Sequence, residues 1–82
     1  MERFIRCTTK KYKILKALYE KGPLNEYELA QEMGLSPTYV WTLVSSYIRT
    51  GDVRHGVDDK FYITERGIEW LQECSKKKGW PL

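Results

Sequence analysis

The sequence is poor in the residues that build metal sites and many catalytic sites. It has one histidine, His55, and two well-separated cysteines, Cys7 and Cys74. A zinc site needs four ligands at recognisable spacing, and the His and Cys residues together fall short of that number. Because a glycine-rich phosphate loop is missing too, the sequence predicts a protein that is not an enzyme and that uses no metal or cofactor.

Long apolar stretches are also missing. No run approaches the ~18 residues that a membrane span needs, and the N-terminus, which reads MERFIRC, lacks the apolar stretch of a signal peptide. We therefore expect a cytoplasmic protein that does not contact a membrane. The 82 residues are 41% hydrophobic and 30% charged, which is typical of one folded domain with a thin core.

Charge is distributed unevenly along the chain. Residues 1–21 contain most of the basic excess, whereas residues 22–48 contain three glutamates and no lysine or arginine. The net charge of +3 weakly favours an anionic partner such as nucleic acid. A basic N-terminal segment is equally compatible with a solvated helix face.

Apolar spacing and capping residues predict three helices in the first fifty residues. The first helix has apolar side chains at intervals of three and four, and Thr8 or Thr9 can cap it. Asn25 can cap the second helix, while Ser36 can cap the third with Pro37 in the first helical position. The predicted helices cover residues 8–21, 25–33 and 36–50.

The remaining residues predict a hairpin and a last helix. Two short extended runs around a loop that contains Gly and Asp indicate a hairpin over residues 52–64. Thr64 can cap a helix over residues 65–77, residues 78–82 follow as a tail, and we expect residues 76–82 to fray. The predicted order is helix, short strand, helix, helix, hairpin and helix, in a single α+β domain over residues 1–82.

Three segments resemble the winged helix-turn-helix regulators of the MarR, PadR and ArsR type. Residues 29–40, LAQEMGLSPTYV, look like the turn and the start of a recognition helix. Residues 47–53, YIRTGDV, resemble the start of the wing, with Asp52 where the family has an apolar residue. Residues 61–71, FYITERGIEWL, resemble the strand-to-helix junction with its Thr-x-x-Gly. Together the resemblance covers roughly residues 12–73 and implies a winged helix-turn-helix that binds double-stranded DNA.

The resemblance implies that helix 36–50 enters the major groove, which is ~12 Å wide and accepts one helix. The wing would then lie near the phosphate backbone or the minor groove. Plainer interpretations are that Trp41 is a half-buried packing residue and that Asp58 and Asp59 are turn formers. The expected DNA-binding residues are Ser36, Pro37, Thr38, Tyr39, Trp41, Thr42, Ser45, Ser46, Arg49, Arg54, His55 and Lys60.

One winged helix covers a small DNA site, so we expect a homodimer on two half-sites. In similar proteins the helices at the chain ends commonly form the dimer surface, although Trp80 can instead fold back on its own subunit. Cys7 and Cys74 are either two small buried thiols or a disulfide within or between chains. The expected interface residues are Tyr12, Tyr19, Trp70, Cys74 and Trp80.

We therefore expect a small, sequence-specific transcriptional regulator for which no small-molecule ligand is evident. Regulators of this type often carry an arginine on the recognition helix, whereas residues 22–48 contain no lysine or arginine. This departure matters because phosphate neutralisation supplies much of the affinity for DNA. Together with the aromatic side chains of Tyr39 and Trp41, this departure favours an alternative. In the alternative, the winged helix binds another protein and does not read DNA.

Overall fold

The computed structural model describes residues 5–82 and arranges them as four helices and a two-stranded hairpin. Residues 1–4, which include Arg3 of the basic N-terminal segment, lie outside the described residues. The order confirms the predicted fold. In chain order the elements are α1 (Thr9–Lys21), α2 (Glu26–Met33), α3 (Pro37–Arg49), β1 (Val53–His55), β2 (Phe61–Ile63) and α4 (Glu65–Lys78).

The helices begin where side chains can bond the first backbone N–H groups. Asn25 and Glu28 form a capping box at α2, in which each side chain accepts from the backbone N–H of the other, at 2.8 and 2.9 Å. Ser36 and Thr64 cap α3 and α4 by accepting from the N–H three residues on, at 3.2 Å. Thr8 occupies the capping position of α1 without such a bond.

The turn between α2 and α3 depends on Gly34. Its φ of 68° lies in the left-handed region, which a residue with a Cβ adopts at a cost. Directly after it, the Leu35 N–H donates to the Ala30 carbonyl oxygen at 3.0 Å and closes the end of α2. This short connection sets α3 against α2 and leaves the outer face of α3 uncovered.

The hairpin, which we call the wing (residues 53–63), is tied to the body of the protein through the link between α1 and α2. The Phe61 N–H donates to the Leu24 carbonyl oxygen at 2.7 Å, so Leu24 forms the predicted short strand as a single bridge. Phe61 is buried and anchors the wing in the core. The antiparallel register pairs Val53 with Ile63, Arg54 with Tyr62 and His55 with Phe61.

A single hydrophobic core lies between the four helices and the base of the wing. Helix α1 is central to it, because it packs against α2, α4 and β2. Within residues 5–82, we find no helix with the length and apolar character to cross a membrane. The buried apolar residues are Tyr12, Ile14, Leu15, Leu18, Leu29, Ala30, Val40, Val44, Tyr47, Val53, Phe61, Trp70, Leu71 and Cys74.

Helix α4 crosses the base of the wing at a close backbone contact. The Thr64 N–H donates to the Asp52 carbonyl oxygen at 3.0 Å, and the Thr64 hydroxyl donates to the Gly51 carbonyl oxygen at 2.5 Å. A Cβ added to Gly67 would overlap the same Asp52 carbonyl oxygen. The Thr-x-x-Gly pattern therefore has a steric reason, since only glycine lets α4 approach this closely.

A disulfide joins Cys7, just before α1, to Cys74 in α4. It lies within one chain, which is one of the alternatives that the sequence leaves open. The bond closes a loop of 67 residues, and nearly all of the fold lies inside that loop.

The tail after α4 does not fray. Trp80 folds back onto Tyr12, with ring centroids 4.7 Å apart, and the Ser75 hydroxyl donates to the Trp80 carbonyl oxygen at 2.6 Å. The Tyr12 hydroxyl donates to the Pro81 carbonyl oxygen. The expectation that residues 76–82 fray is therefore wrong, because residues 76–78 belong to α4 and an aromatic contact and two hydrogen bonds hold the tail on the body.

Candidate nucleic-acid interface

Helix α3 presents a mostly polar surface to solvent. Val40, Val44 and Tyr47 are buried against the other elements, so the residues between them point outward. The expected DNA-binding residues of this segment accordingly lie on one side of the helix. Exposed among them are Ser36, Thr38, Tyr39, Trp41, Thr42, Ser46 and Arg49, while Pro37 and Ser45 are half-buried.

The hydroxyl groups of this surface bond within their own helix. The Thr42 hydroxyl donates to the Thr38 carbonyl oxygen at 3.1 Å, and the Ser46 hydroxyl donates to the Leu43 carbonyl oxygen at 2.8 Å. A hydroxyl has two acceptor lone pairs and rotates readily, so each group can accept from a partner or turn to donate to it. The surface therefore offers small hydrogen-bonding groups, and its one basic side chain is Arg49 in the last turn.

Trp41 forms the edge of this surface that faces the wing. Its ring stacks on Phe61 with centroids 5.7 Å apart and meets the ring of His55 edge-on at 5.4 Å. The side chain is still 41% exposed. The packing interpretation of Trp41 thus describes its buried face, which holds the wing against α3, and the exposed face remains accessible to a partner.

Tyr39 forms the opposite edge. Successive residues of a helix advance by about 100°, so Tyr39 and Trp41 lie about 160° apart around α3. The Tyr39 hydroxyl accepts a hydrogen bond from the Lys10 ammonium group at 2.8 Å, and the Lys10 Nζ lies 4.9 Å from the ring centroid. The polar surface of α3 is therefore bordered by the wing on one edge and by α1 on the other.

The wing contributes the remaining expected residues. Arg54 and His55 on β1 are exposed, and Lys60 before β2 is half-buried. The Arg54 guanidinium lies 4.4 Å from the ring centroid of Tyr62 on the paired strand. This cation–π contact orients the guanidinium group while leaving it accessible to an anion.

Both aspartates at the tip of the wing take part in the turn. Asp59 has a φ of 66°, and its carboxylate lies 2.9 Å from the Nε2 of His55. Asp58 accepts from the Tyr62 hydroxyl and from the Lys60 N–H, and the bond from Tyr62 holds the pKa of Asp58 below its ordinary value. The acids at the tip therefore form the turn, as their plainer interpretation requires.

A buried ion pair lies behind α3, at the start of the wing. Asp52 is 2% exposed, and its Oδ2 lies 2.8 Å from the Lys11 Nζ and accepts from the Thr50 hydroxyl at 2.6 Å. The Lys11 Nζ also lies 4.5 Å from the ring centroid of Trp70. A buried carboxylate needs such partners. Lys11 supplies that partner, and the ion pair ties the start of the wing to α1.

Tyr47 borders this ion pair on the inner face of α3. Burial, with smaller contributions from Tyr39 and Asp52, raises the pKa of the Tyr47 phenol to about 12. The Lys11 Nζ lies 5.3 Å from its ring centroid. The phenol is therefore neutral at any ordinary pH and serves as a packing group.

Three of the expected dimer-interface residues lie inside the protein. Tyr12, Trp70 and Cys74 are buried in the core of their own chain, with 7% exposure or less. Their assignment to a dimer surface is wrong, because a side chain buried in its own subunit has no area left for a second one. Trp80 is half-buried on Tyr12, which is the alternative noted for it, whereas Tyr19 is 44% exposed.

The sequence marks the N-terminal lysines and arginines as sources of phosphate contacts, but it does not show which side chains Lys10 and Lys11 contact. Lys10 belongs to the basic N-terminal segment, but its position beside Tyr39 joins residues 29 apart in sequence. Lys11 pairs with a residue 41 positions away. The apolar spacing of α1 showed only that lysines point away from its buried face. The residue that could have indicated this ion pair is Asp52. A carboxylate at a position where an apolar residue is expected is buried, and a buried carboxylate needs a cation beside it.

A tight helix–turn–helix, an outward polar helix and a hairpin packed beside it define a winged helix-turn-helix protein. The chain belongs to the winged helix-turn-helix DNA-binding family, whose model matches residues 8–51. That match spans all of α1, α2 and α3. Comparison with curated proteins gives no match.

Two solved structures share the fold. A MarR family protein from Bacillus stearothermophilus is 26% identical, with a TM-score of 0.81, and the match covers 89% of this chain and 54% of that one. A transcriptional regulator from Thermotoga maritima is 24% identical, with a TM-score of 0.78 and coverages of 88% and 54%. This chain therefore spans about half the length of either protein.

Proposed function

We propose that this protein is a transcriptional regulator that places α3 in the major groove of double-stranded DNA. The observation that supports this most directly is the outward surface of α3, which is rich in hydroxyls, beside a wing, in a fold of a DNA-binding family. Hydroxyl groups such as those of Thr42 and Ser46 can bond base edges, and a threonine methyl can contact thymine. The wing then lies along the adjacent backbone.

Charge supports a modest electrostatic contribution to binding. Residues 22–48 contain no lysine or arginine, so α2 and most of α3 offer no side-chain cation to phosphate. Arg49, Arg54 and Lys60 supply the nearby positive charge, and α1 supplies more. We expect a shallow dependence of affinity on salt for one subunit, since each phosphate contact contributes about 0.9 to the slope.

The proposal includes a homodimer. A single winged helix buries only about 600–1,000 Å² on DNA, which limits affinity and specificity. Among residues 5–82, Tyr19 on α1 and Leu82 in the tail are 44% and 46% exposed and offer apolar area for such a contact. Light scattering at tens of micromolar should give twice the monomer mass, and a monomer mass would remove the dimer from the proposal.

The test of DNA binding is a fluorescence-anisotropy titration with random-sequence duplex at about 50 and 200 mM salt. We expect micromolar binding that weakens at the higher salt, followed by selection of a preferred sequence. Thr42→Ala with Ser46→Ala should reduce preference for the selected sequence. A matched control, Gln72→Ala with Glu73→Ala, changes exposed residues on α4 and should retain it. Equal preference in both variants would contradict major-groove reading by α3.

The alternative function is that of a winged helix that binds another protein. Tyr27 in the first turn of α2 is 67% exposed and stands between Glu26 and Glu28, and aromatic side chains commonly anchor protein interfaces. If the folded protein fails to bind duplex at low salt, this alternative replaces the first proposal.

A further inference from the structure

The two edges of the α3 surface differ in how they could meet a DNA backbone. In a groove ~12 Å wide, one phosphate backbone runs along each side of the inserted helix. The wing borders one edge and offers Arg54 to the backbone on its own side. The opposite edge is bordered by Tyr39 and by Lys10 from α1.

We propose that Lys10 and Tyr39 together form a phosphate-binding site for the backbone on the side of α3 opposite the wing. This inference rests on the proposed function, because it names the second backbone contact of the same interface. It makes α1, which lies outside the helix-turn-helix itself, a part of the DNA-binding surface.

Hydrogen-bond geometry leaves both side chains able to bind a further anion. An ammonium group has three N–H donors, and Lys10 uses one of them on the Tyr39 hydroxyl at 2.8 Å. The hydroxyl oxygen accepts that bond, so its own O–H is directed elsewhere and can donate. One phosphate oxygen placed between them can accept from the phenol and from the ammonium group at once.

The charge of Lys10 and the exposure of both side chains also favour binding of an anion. Lys10 is exposed, and Tyr39 is 40% exposed. Among residues 5–82, the ion pairs are formed by Lys11, Lys21 and His55 with acidic partners, so Lys10 is not neutralised by this part of the chain. The Lys10 Nζ lies over the Tyr39 ring at 4.9 Å, which holds the ammonium group at the edge of α3.

Lys13 offers a matched control. It is an exposed lysine on the same helix, one turn further along, and it lines a surface groove with Lys16, Glu20 and Met33. Its removal changes net charge by the same amount as removal of Lys10. A general effect of charge would therefore affect both variants alike, whereas a phosphate contact would affect Lys10 alone.

The experiment measures binding of random-sequence duplex against salt for the wild type, Lys10→Ala, Lys10→Arg, Tyr39→Phe and Lys13→Ala. For Lys10→Ala we expect the slope of log K against log salt to fall by about 0.9 and affinity at about 50 mM salt to fall by about five- to tenfold. Lys10→Arg should restore the slope. Tyr39→Phe should weaken binding less than Lys10→Ala, because it removes a neutral hydroxyl and keeps the charge of Lys10. Lys13→Ala should keep the wild-type slope.

The outcomes separate this inference from the function on which it rests. If the wild type binds but Lys10→Ala and Lys13→Ala share one slope, the Lys10 site is wrong and the proposed function stands. If the wild type does not bind duplex at all, both the Lys10 site and the proposed function are wrong. Thermal melts of each variant should match the wild type, because these substitutions are at exposed positions. Preference for the selected sequence should survive in Lys10→Ala, because phosphate contacts carry no base information.

Discussion

The side of the protein where α1, α4 and the start of the wing meet is held by bonds between distant residues. The hydroxyl groups on the outward face of α3, between its two edges, bond within one helix. On the first side, which we call the anchored side (Cys7, Lys11, Asp52, Gly67 and Cys74), the disulfide spans 67 residues and the ion pair spans 41. On the face of α3, the hydroxyl bonds span four residues or three. Substitutions on the anchored side should therefore lower the free energy of unfolding more than substitutions on the outward face of α3.

The largest expected effect on the anchored side comes from the disulfide. Removing a crosslink that closes a loop of this length should lower the free energy of unfolding by about 4 kcal/mol, because the unfolded chain regains its conformational freedom. Urea unfolding of the wild type with and without a dithiol reductant measures this difference. The variant with Cys7→Ser and Cys74→Ser should match the reduced protein and should not respond to reductant. Equal midpoints for the oxidised and reduced wild type would contradict the prediction.

Breaking the buried ion pair should have the next largest effect. Lys11→Met keeps the apolar stem but leaves the Asp52 carboxylate buried without its cation, and this should lower the free energy of unfolding by about 3 kcal/mol. Denaturant unfolding gives the value. Lys13→Met, on the exposed face of the same helix, is the control and should stay close to the wild type. Similar losses in the two variants would mean that the pair does not anchor the wing.

A smaller effect is expected at the contact between α4 and the wing. Gly67→Ala should lower the free energy of unfolding by about 2 kcal/mol, because the new methyl group overlaps the Asp52 carbonyl oxygen. Thermal unfolding provides the measurement. Helix propensity alone has the opposite sign and favours alanine by about 1 kcal/mol. A rise in stability would thus show that α4 can move away from the wing.

The smallest effect on stability is expected on the face of α3. Thr42→Ala with Ser46→Ala should change the free energy of unfolding by no more than about 0.5 kcal/mol, because both side chains are exposed and bond only within α3. The same unfolding assay applies. A loss comparable to that of Gly67→Ala would contradict the contrast between the two sides, since the outward face of α3 would then stabilise the fold as much as the contact between α4 and the wing does.

Local chemistry explains which parts of the fold were predictable from the sequence. The starts of α2, α3 and α4 follow from Asn25, Ser36 and Thr64, whose side chains bond backbone groups three residues away. Such short-range bonds leave a readable pattern. The outward side of α3 was likewise predictable, because helical spacing separates its buried residues from its exposed ones.

The rest depended on contacts that no spacing in the sequence reveals. Tyr12 and Trp80 were expected at a dimer surface, but they pack on each other across nearly the whole chain. Lys10 reaches Tyr39 only because α1 crosses beside α3. The sequence shows that apolar and basic side chains are present at the two ends of the chain. Only the packing of the helices determines which residues they contact.

The disulfide also gives the molecule a closed covalent topology. A single peptide-bond cut anywhere between Cys7 and Cys74 leaves the two fragments joined through sulfur. Nicked protein would therefore migrate at full mass on a non-reducing gel and separate into fragments only after reduction. Because α3 and the wing lie inside this ring, a protease that opened an exposed loop beside them would not release them from the rest of the protein.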